Sequence, residues 1–276
     1  MRMGEDPGVE LLDAGDGRRL DRLGERVVDR PAPAAEGRRL SAARWREADL
    51  RFEPGDGWSG RVAHDPWAVT IDGLTLELRA SSSGGVGLFT EQLANLAWLE
   101  ARVAERGPGV TVLNLFAHTG LLTLAAARAG AAVAHVDASR PAVAWARRNA
   151  ELSGLADRSV RWLVDDAASF VAREARRGRR YDGLILDPPS FGRADPRRWR
   201  LLDDLPALLE ACAAILEDGA FVLLTAHTTG VAGEAIATLA SASLGRRDVE
   251  VVPLALEAAS GVRLDLGWAL RLAGLA

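Results

Sequence analysis

Tyr181-Asp182-Gly183-Leu184-Ile185-Leu186-Asp187-Pro188-Pro189-Ser190-Phe191, YDGLILDPPSF, reads as a short apolar strand that ends in an acid, two prolines, a serine and an aromatic ring. Proline has no N–H to give a sheet ladder and fixes φ. Pro188 and Pro189 therefore stop the strand begun at Gly183 and leave Asp187 at its carboxyl edge. In open α/β sheets ligands bind at that edge. A rigid turn carrying a carboxylate, backbone carbonyls and a ring suits a planar, hydrogen-bonding target such as a nucleobase. Asp-Pro-Pro loops also end strands with no further role, so the weight of the reading falls on the flanking sequence.

On either side the pattern continues. From Val110 short apolar runs alternate with amphipathic ones: strands near 110–116, 132–137, 160–164, 183–187 and 220–226, helices near 119–129, 140–152, 167–178, 200–216 and 231–244. Such alternation implies right-handed βαβ crossovers and a parallel sheet. Val249 to Leu256, a turn at Ser260-Gly261 and Leu264 to Leu272 follow with no helix between them, which predicts an antiparallel edge. Upstream, Leu93, Leu96, Ala97, Leu99 and Val103 fall at helical spacing, so a helix over Gly87–Arg106 leads into the sheet. The expected main domain spans residues 86–276.

Residues 1–85 differ. Val9 to Asp13, Gly15-Asp16-Gly17 and Leu20 to Val28 predict a β-hairpin, and Pro31, Pro33 and the alanines after them a linker. Trp67 to Ile71, Asp72-Gly73 and Leu74 to Leu78 predict a second hairpin with the Asp-Gly pair at its turn. Ser81 to Gly87 is a Gly/Ser-rich joint. This is a small β-rich appendage. Trp45, Trp58 and Trp67 are assigned to its core rather than to a binding face, since tryptophan is usually largely buried.

A net charge of −4 gives no global basic field to attract nucleic acid. All 34 basic residues are arginine, a pattern expected of GC-rich coding, so arginine enrichment by itself argues nothing. The single cysteine, Cys212, excludes an intrachain disulfide and a cysteine-cluster metal site, and no metal is expected. No apolar run approaches the ~18 residues of a membrane span, and the start MRMGEDPG is unlike a signal peptide. The expected location is the cytoplasm, with no membrane partner.

The strand ends carry the chemistry. After the first strand comes Asn114-Leu115-Phe116-Ala117-His118-Thr119-Gly120, where a dinucleotide fold would need G-x-G-x-x-G to approach a pyrophosphate. One glycine argues for a ligand without phosphate. Asp137, after the second strand, stands where a carboxylate would accept two ribose hydroxyls. Asp165-Asp166-Ala167, after the third, offers an acceptor for an adenine amino group, and Asp187 follows the fourth. Each acid alone reads equally well as a helix N-cap, Asp166 above all; their agreement in order and spacing points to a site.

Five parallel strands and a closing hairpin form the order of the seven-stranded sheet of S-adenosylmethionine methyltransferases. NLFAHTG, HVDAS around Asp137, VDDA at Asp165-Asp166, DPPSF, and GLFTEQLAN at Gly87–Asn95 resemble the class I methyltransferases related to bacterial large-subunit ribosomal RNA methyltransferases. The resemblance covers roughly residues 87–276. It implies a Rossmann-like α/β fold, S-adenosyl-L-methionine as cofactor and RNA, ribosomal RNA first, as partner. It implies that Phe116, Ala117 and Gly120 pack around the methionine portion of the cofactor, that Asp137 holds the ribose and Asp166 the adenine. Gln92, Asn114, Thr119, Ala138, Asp165 and Asp187 complete the expected cofactor-binding set. Asp187, Pro188 and Phe191 would line the methyl-acceptor site.

Two departures bear on mechanism. His118 occupies a position where relatives often carry Tyr or Ser, and is expected to face solvent. Thr225-Ala226-His227-Thr228-Thr229-Gly230, after the fifth strand, lacks the cysteine with which makers of 5-methylcytosine attack the ring, and Cys212 sits in the apolar helical run Leu208–Leu216. Methylation at nitrogen is therefore favoured over a cysteine-dependent carbon mechanism. Asp187 would orient the acceptor, Phe191 would stack on an extruded base, and His227 is a candidate general base or a plain strand cap. Nine arginines between Arg173 and Arg200 stand against four acids, and those from Arg193 to Arg200, with Trp199, flank the proposed acceptor site. The alternatives are a methyltransferase of a small molecule or protein, which the acidic pI favours, and a non-catalytic module that binds cofactor and RNA.

Overall fold

The computed structural model describes residues 8–60, 65–193, 198–228 and 230–274, the side chains of 191–193 and 198 lying outside that description. The chain forms two compact units, Met1–Glu91 with Ala255–Leu266, and Gln92–Leu254 with Gly267–Ala276. This differs from a division at 85/86: the first unit runs on to Glu91 and takes in the tip of the C-terminal hairpin.

In the first unit β1 (Val9–Gly15), β2 (Arg18–Leu23) and β3 (Arg26–Pro31) make an antiparallel meander. After a short helix α1 (Ala42–Arg46), β4 (Leu50–Glu53) joins β3 in parallel and β5 (Gly57–Gly60) closes the sheet. The single strand expected over Leu20–Val28 is two strands, because Gly24 takes φ +63 and turns the chain between them. The stretch after Pro31 is not a slack linker, since Ala32 and Ala35 are buried with Leu11, Ala14, Ala258 and Leu264. β6 (Trp67–Ile71) and β7 (Leu74–Leu78) form the expected hairpin, with Asp72 and Gly73 both at positive φ as a type I′ turn requires. Trp45 is buried and its indole N–H donates to Asp13 at 2.7 Å. Trp58 and Trp67 are only half-buried, each donating to a backbone carbonyl. Buried charge is paired: Asp21 accepts from Arg19 at 2.7 Å and Arg30 at 3.1 Å.

The second unit holds the sheet that positions the site. Its elements are α2 (Leu96–Arg106), β8 (Thr111–Leu115), α3 (Leu121–Arg128), β9 (Ala132–Asp137), α4 (Arg140–Leu152), β10 (Val160–Val164), α5 (Ala167–Arg176) and β11 (Tyr181–Leu186). A ribbon of β12 (Phe191–Arg193) and β13 (Arg198–Arg200) follows, then α6 (Leu201–Ala213), β14 (Leu216–Ala226), α7 (Gly233–Leu244), β15 (Val249–Glu257) and β16 (Arg263–Leu272). Strand order is β10-β9-β8-β11-β14-β16-β15, parallel through β14 and antiparallel at β16. The helix expected over Gly87–Arg106 is shorter. Thr90–Asn95 is a 3-10 turn and the α-helix begins at Leu96.

The strands are near-continuous apolar runs because both faces are covered. Leu113, Leu115, Leu184, Leu186 and Leu224 are fully buried, each stabilising by roughly 1.5–3 kcal/mol relative to exposure. α3 and α4 pack on β8, β9 and β10. α5, α6 and α7 bring Phe170, Leu205, Leu209 and Ile236 to the cluster that contains β11 and β14. The strand order reverses between β8 and β11, which makes that gap the switch point at whose carboxyl end ligands bind.

Candidate active site

At the switch point the carboxyl ends of β8, β11 and β14 lie side by side. Leu186 of β11 is in register with Leu115 on one side and Leu224 on the other. The next residue, Asp187, donates its backbone N–H to the Leu115 carbonyl at 3.4 Å. Pro188 is buried and Pro189 exposed, so the turn leaves the sheet at once.

Asp187 is held from the β14 side. Its Oδ1 accepts from the Thr225 hydroxyl at 2.5 Å and lies 2.9 Å from His227 Nε2. Its side chain is 16% exposed. Burial pushes the carboxyl pKa up, but the hydrogen bond and charge of His227 and the Thr225 hydroxyl outweigh it, and the pKa ends below the usual carboxylate value. An ionised Asp187 has only acceptors, so His227 Nε2 carries a proton toward it. Gln92 Nε2 lies 3.1 Å from Thr225 Oγ1 and 3.4 Å from His227 Nε2; the first is a donor–acceptor pair and the second faces two donors.

The loop after β8 is strained. Phe116 and His118 sit at φ +56 and +49, and Gly120 at φ +91 opens α3. Left-handed backbone costs a non-glycine residue of the order of 1–2 kcal/mol, and such strain gathers at functional sites. Three contacts hold it: Ala117 N–H to the Val136 carbonyl (3.1 Å), His118 N–H to Asp137 Oδ2 (2.8 Å), and the Asn149 amide to the Thr119 carbonyl (2.9 Å). A Cβ on Gly120 would come to 3.0 Å from that of Ala146, so the helix start is closely packed as well as left-handed. Asp137 is half-buried at the end of β9 with Oδ1 accepting from Ser139 N–H at 2.8 Å, and Ala138 beside it is exposed. Both carboxylate oxygens are thus aimed by backbone while keeping lone pairs for a ligand.

The expectation for His118 changes. His118 does not face solvent. It is half-buried, Nδ1 is 3.3 Å from Thr119 Oγ1, and burial lowers its pKa against the pull of Asp137 and Asp187. Asn114 turns inward, 2% exposed, and its amide donates to Thr123 at 2.9 Å, tying β8 to α3 rather than entering the loop. Gln92 reaches the end of β14. Asp166 is the N-cap of α5, accepting from Ser169 N–H at 2.8 Å, with the side chain exposed. Asp165 accepts from Asp166 N–H and pairs with Arg173. Cys212 is fully buried and its thiol is pushed up to about 12 by burial. The Phe191 side chain, Arg197, and the side chains of Arg193 and Arg198 lie outside the described residues.

Trp199 bridges the two halves of the site. Its N–H donates to the Pro189 carbonyl at 2.8 Å and its ring lies 5.5 Å from that of Phe116. Thr225, Asn95 and Arg271 were not legible as site residues. Thr225 had one signal, its place at a strand end, Asn95 only its place at the end of GLFTEQLAN, and Arg271 none. At the opposite, amino edge of the sheet a crevice of about 200 Å³ is lined by Thr111, Ser159, Arg161, Arg179, Arg180 and Tyr181, among others. Arg161 faces the buried Glu174 at 3.6 Å, and Arg180 donates to the Leu216 carbonyl.

The sequence profile of the S-adenosylmethionine-dependent methyltransferases matches residues 9–242. The crystal structure of the SAM-dependent methyltransferase from Agrobacterium tumefaciens superposes with a TM-score of 0.88 at 33% identity, over 98% of this chain and 96% of that one. Ribosomal RNA large subunit methyltransferase K of Neisseria meningitidis serogroup B is 32% identical over 130 residues, 47% of this chain and 36% of the relative. Ribosomal RNA large subunit methyltransferase I of Shewanella amazonensis is 32% identical over 133 residues, 48% and 33% of the two chains. The chain thus spans about a third of the length of these two curated relatives. Among the described residues no helix is long and apolar enough to cross a membrane.

Proposed function

Since the chain belongs to the S-adenosylmethionine-dependent methyltransferase family, we propose that it methylates a base of RNA, ribosomal RNA in the first instance, at a nitrogen and without a cysteine nucleophile. The donor set fits the cofactor. The β8 loop offers a single glycine and no pyrophosphate cradle, while Asp137 presents a carboxylate fixed by two backbone N–H groups, which suits a ribose diol. Asp137 would hold the ribose, Phe116, Ala117 and Gly120 the methionine portion, and the Asp166 side chain the adenine edge while also capping α5. When bound, S-adenosylmethionine supplies an electrophilic methyl on a sulfonium.

The observation that carries the nitrogen reading is the saturation of one oxygen of Asp187. Oδ1 is taken by Thr225 and His227, which leaves Oδ2 of an ionised carboxylate as an acceptor. Such a group aligns an acceptor that has an N–H to donate, as an exocyclic amino group does, and strengthens as positive charge develops on that nitrogen. Attack through ring carbon needs a thiolate, and Cys212 is buried in the helix core. His227, beside Asp187, would act as the general base for the departing proton. The names of the two relatives support RNA as the acceptor class, as do the arginines on the second unit.

The test begins with calorimetric titration of S-adenosylmethionine against wild type and Asp137→Ala, followed by transfer of labelled methyl to ribosomal RNA from cells lacking the gene. Expected are micromolar binding lost in Asp137→Ala, binding kept but transfer lost in Asp187→Ala, and transfer kept in Cys212→Ala. Loss of transfer with Cys212 would return the reading to carbon. Binding without transfer to any RNA would return it to another acceptor.

A further inference from the structure

A buried line of polar side chains leads to Asp187 from the side away from the β8 loop. Arg271, near the end of β16, donates from Nη2 and Nε to Asn95 Oδ1 at 2.9 and 3.3 Å. Asn95 Nδ2 donates to Gln92 Oε1 at 2.9 Å, and Gln92 Nε2 to Thr225 Oγ1 at 3.1 Å. The Thr225 hydroxyl reaches Asp187 Oδ1 at 2.5 Å, much closer than the Leu186 carbonyl at 3.3 Å. Asn95 and Thr225 are fully buried and Gln92 is 3% exposed, so water does not compete along the line.

The sense of the line is set at one end. A guanidinium has donors and no acceptor, so Asn95 must turn its carbonyl oxygen to Arg271 and offer its amide onward. Gln92 then accepts at Oε1 and donates at Nε2. Thr225 receives at its oxygen and has one proton left to give, which goes to Asp187. A carboxylate, with acceptors only, is the partner this order requires. We infer that Arg271, Asn95, Gln92 and Thr225 are positioning residues, a one-way donor relay that holds Asp187 as an acceptor and aims Oδ2 at the methyl-acceptor group. The inference rests on the methyltransferase reading of Asp187 and gives Gln92 a role different from cofactor binding.

The test uses Gln92→Met, which keeps the volume, removes the amide and adds no charge, with Arg271→Met as a second variant at the far end. The charged groups facing Asp187 are His227 and His118, and neither is altered. Three quantities are measured on the full chain: the S-adenosylmethionine dissociation constant by calorimetry, methyl transfer to the same RNA, and the Asp187 carboxyl titration by carbon NMR. Expected for Gln92→Met are cofactor affinity within about threefold of wild type, transfer down by roughly 10- to 100-fold as misplacement of a positioning group gives, and an upward shift of the Asp187 titration. Arg271→Met should shift it in the same direction by less. A loss of cofactor affinity as large as the loss of transfer would make Gln92 a cofactor ligand and overturn the relay. An unmoved Asp187 titration in folded Gln92→Met protein would overturn it as well. A wild type that transfers nothing would sink the proposed function and leave the titration to decide the relay.

Discussion

His135 shows what one buried side chain does to the whole. It is fully buried on β9, its Nδ1 lies 2.9 Å from the Thr123 hydroxyl, and that oxygen already accepts the Asn114 amide. Nε2 on the far side of the ring is buried with no hydrogen-bond partner among the described residues. Burial, then the charges of His118 and Arg147, push the pKa down to about 3. The folded value lies below the unfolded one, so between the two the unfolded chain binds more protons. Stability is full above about pH 6.5 and falls toward acid at up to roughly 1.4 kcal/mol per pH unit for this residue. We expect His135→Phe to flatten urea-unfolding stability between about pH 6.5 and 4.5, above the range where the depressed carboxylates lose their share. His118, lowered in the same direction, keeps part of the slope. An unchanged slope would mean that His135 is protonated in the fold.

At the level of elements, the site depends on where β14 ends. Gly267 of β16 takes φ +125 and lies so close to β14 that a Cβ there would come to 2.1 Å from the Ala226 carbonyl oxygen and 3.0 Å from the His227 Cα. Gly267→Ala is expected to destabilise by roughly 2–4 kcal/mol, from strained backbone and forced overlap together. It should also shift the strand end that carries Thr225 and His227. Thermal unfolding and methyl transfer, measured together, should show transfer falling more than cofactor affinity; equal losses would mean that the strand end does not move independently. The same level explains the shortened helix before α2. Periodicity at Leu93, Leu96 and Leu99 is helical, but it is blind to the 3-10 turn over Thr90–Asn95, which presents Gln92 to β14 and Asn95 to Arg271 of β16.

For the whole molecule, the proposed RNA substrate would require an acidic chain to concentrate its positive charge. The amino-edge crevice carries Arg161, Arg179 and Arg180, and among the described residues Arg161 is the one of the three paired with an acid, Glu174. If the RNA backbone runs over this edge, Arg179→Ala with Arg180→Ala should lower affinity for ribosomal RNA at every sequence. The salt dependence should become shallower by about 0.7–0.9 in log–log slope for each phosphate that is no longer neutralised. Cofactor affinity should stay unchanged. Filter binding across a salt series checks this, and an unaltered slope would place the RNA-binding surface elsewhere.

What the sequence determined by itself was local. Alternating apolar runs, prolines after Leu186 and acids at strand ends specify a doubly wound sheet with Asp187 and Asp137 at its carboxyl edge, because side-chain period and the missing proline N–H act within a few residues. The β-rich start was legible as hairpins, but not as a sheet in which β3 lies beside β4, nor with Ala258 and Leu264 in its core. What only the tertiary structure decided are partners remote in the chain. Gln92 meets Thr225 across 133 positions, and Asn95 meets Arg271 across 176. No local pattern marks such pairs; strand order brings them together, and burial then requires each donor to find its acceptor.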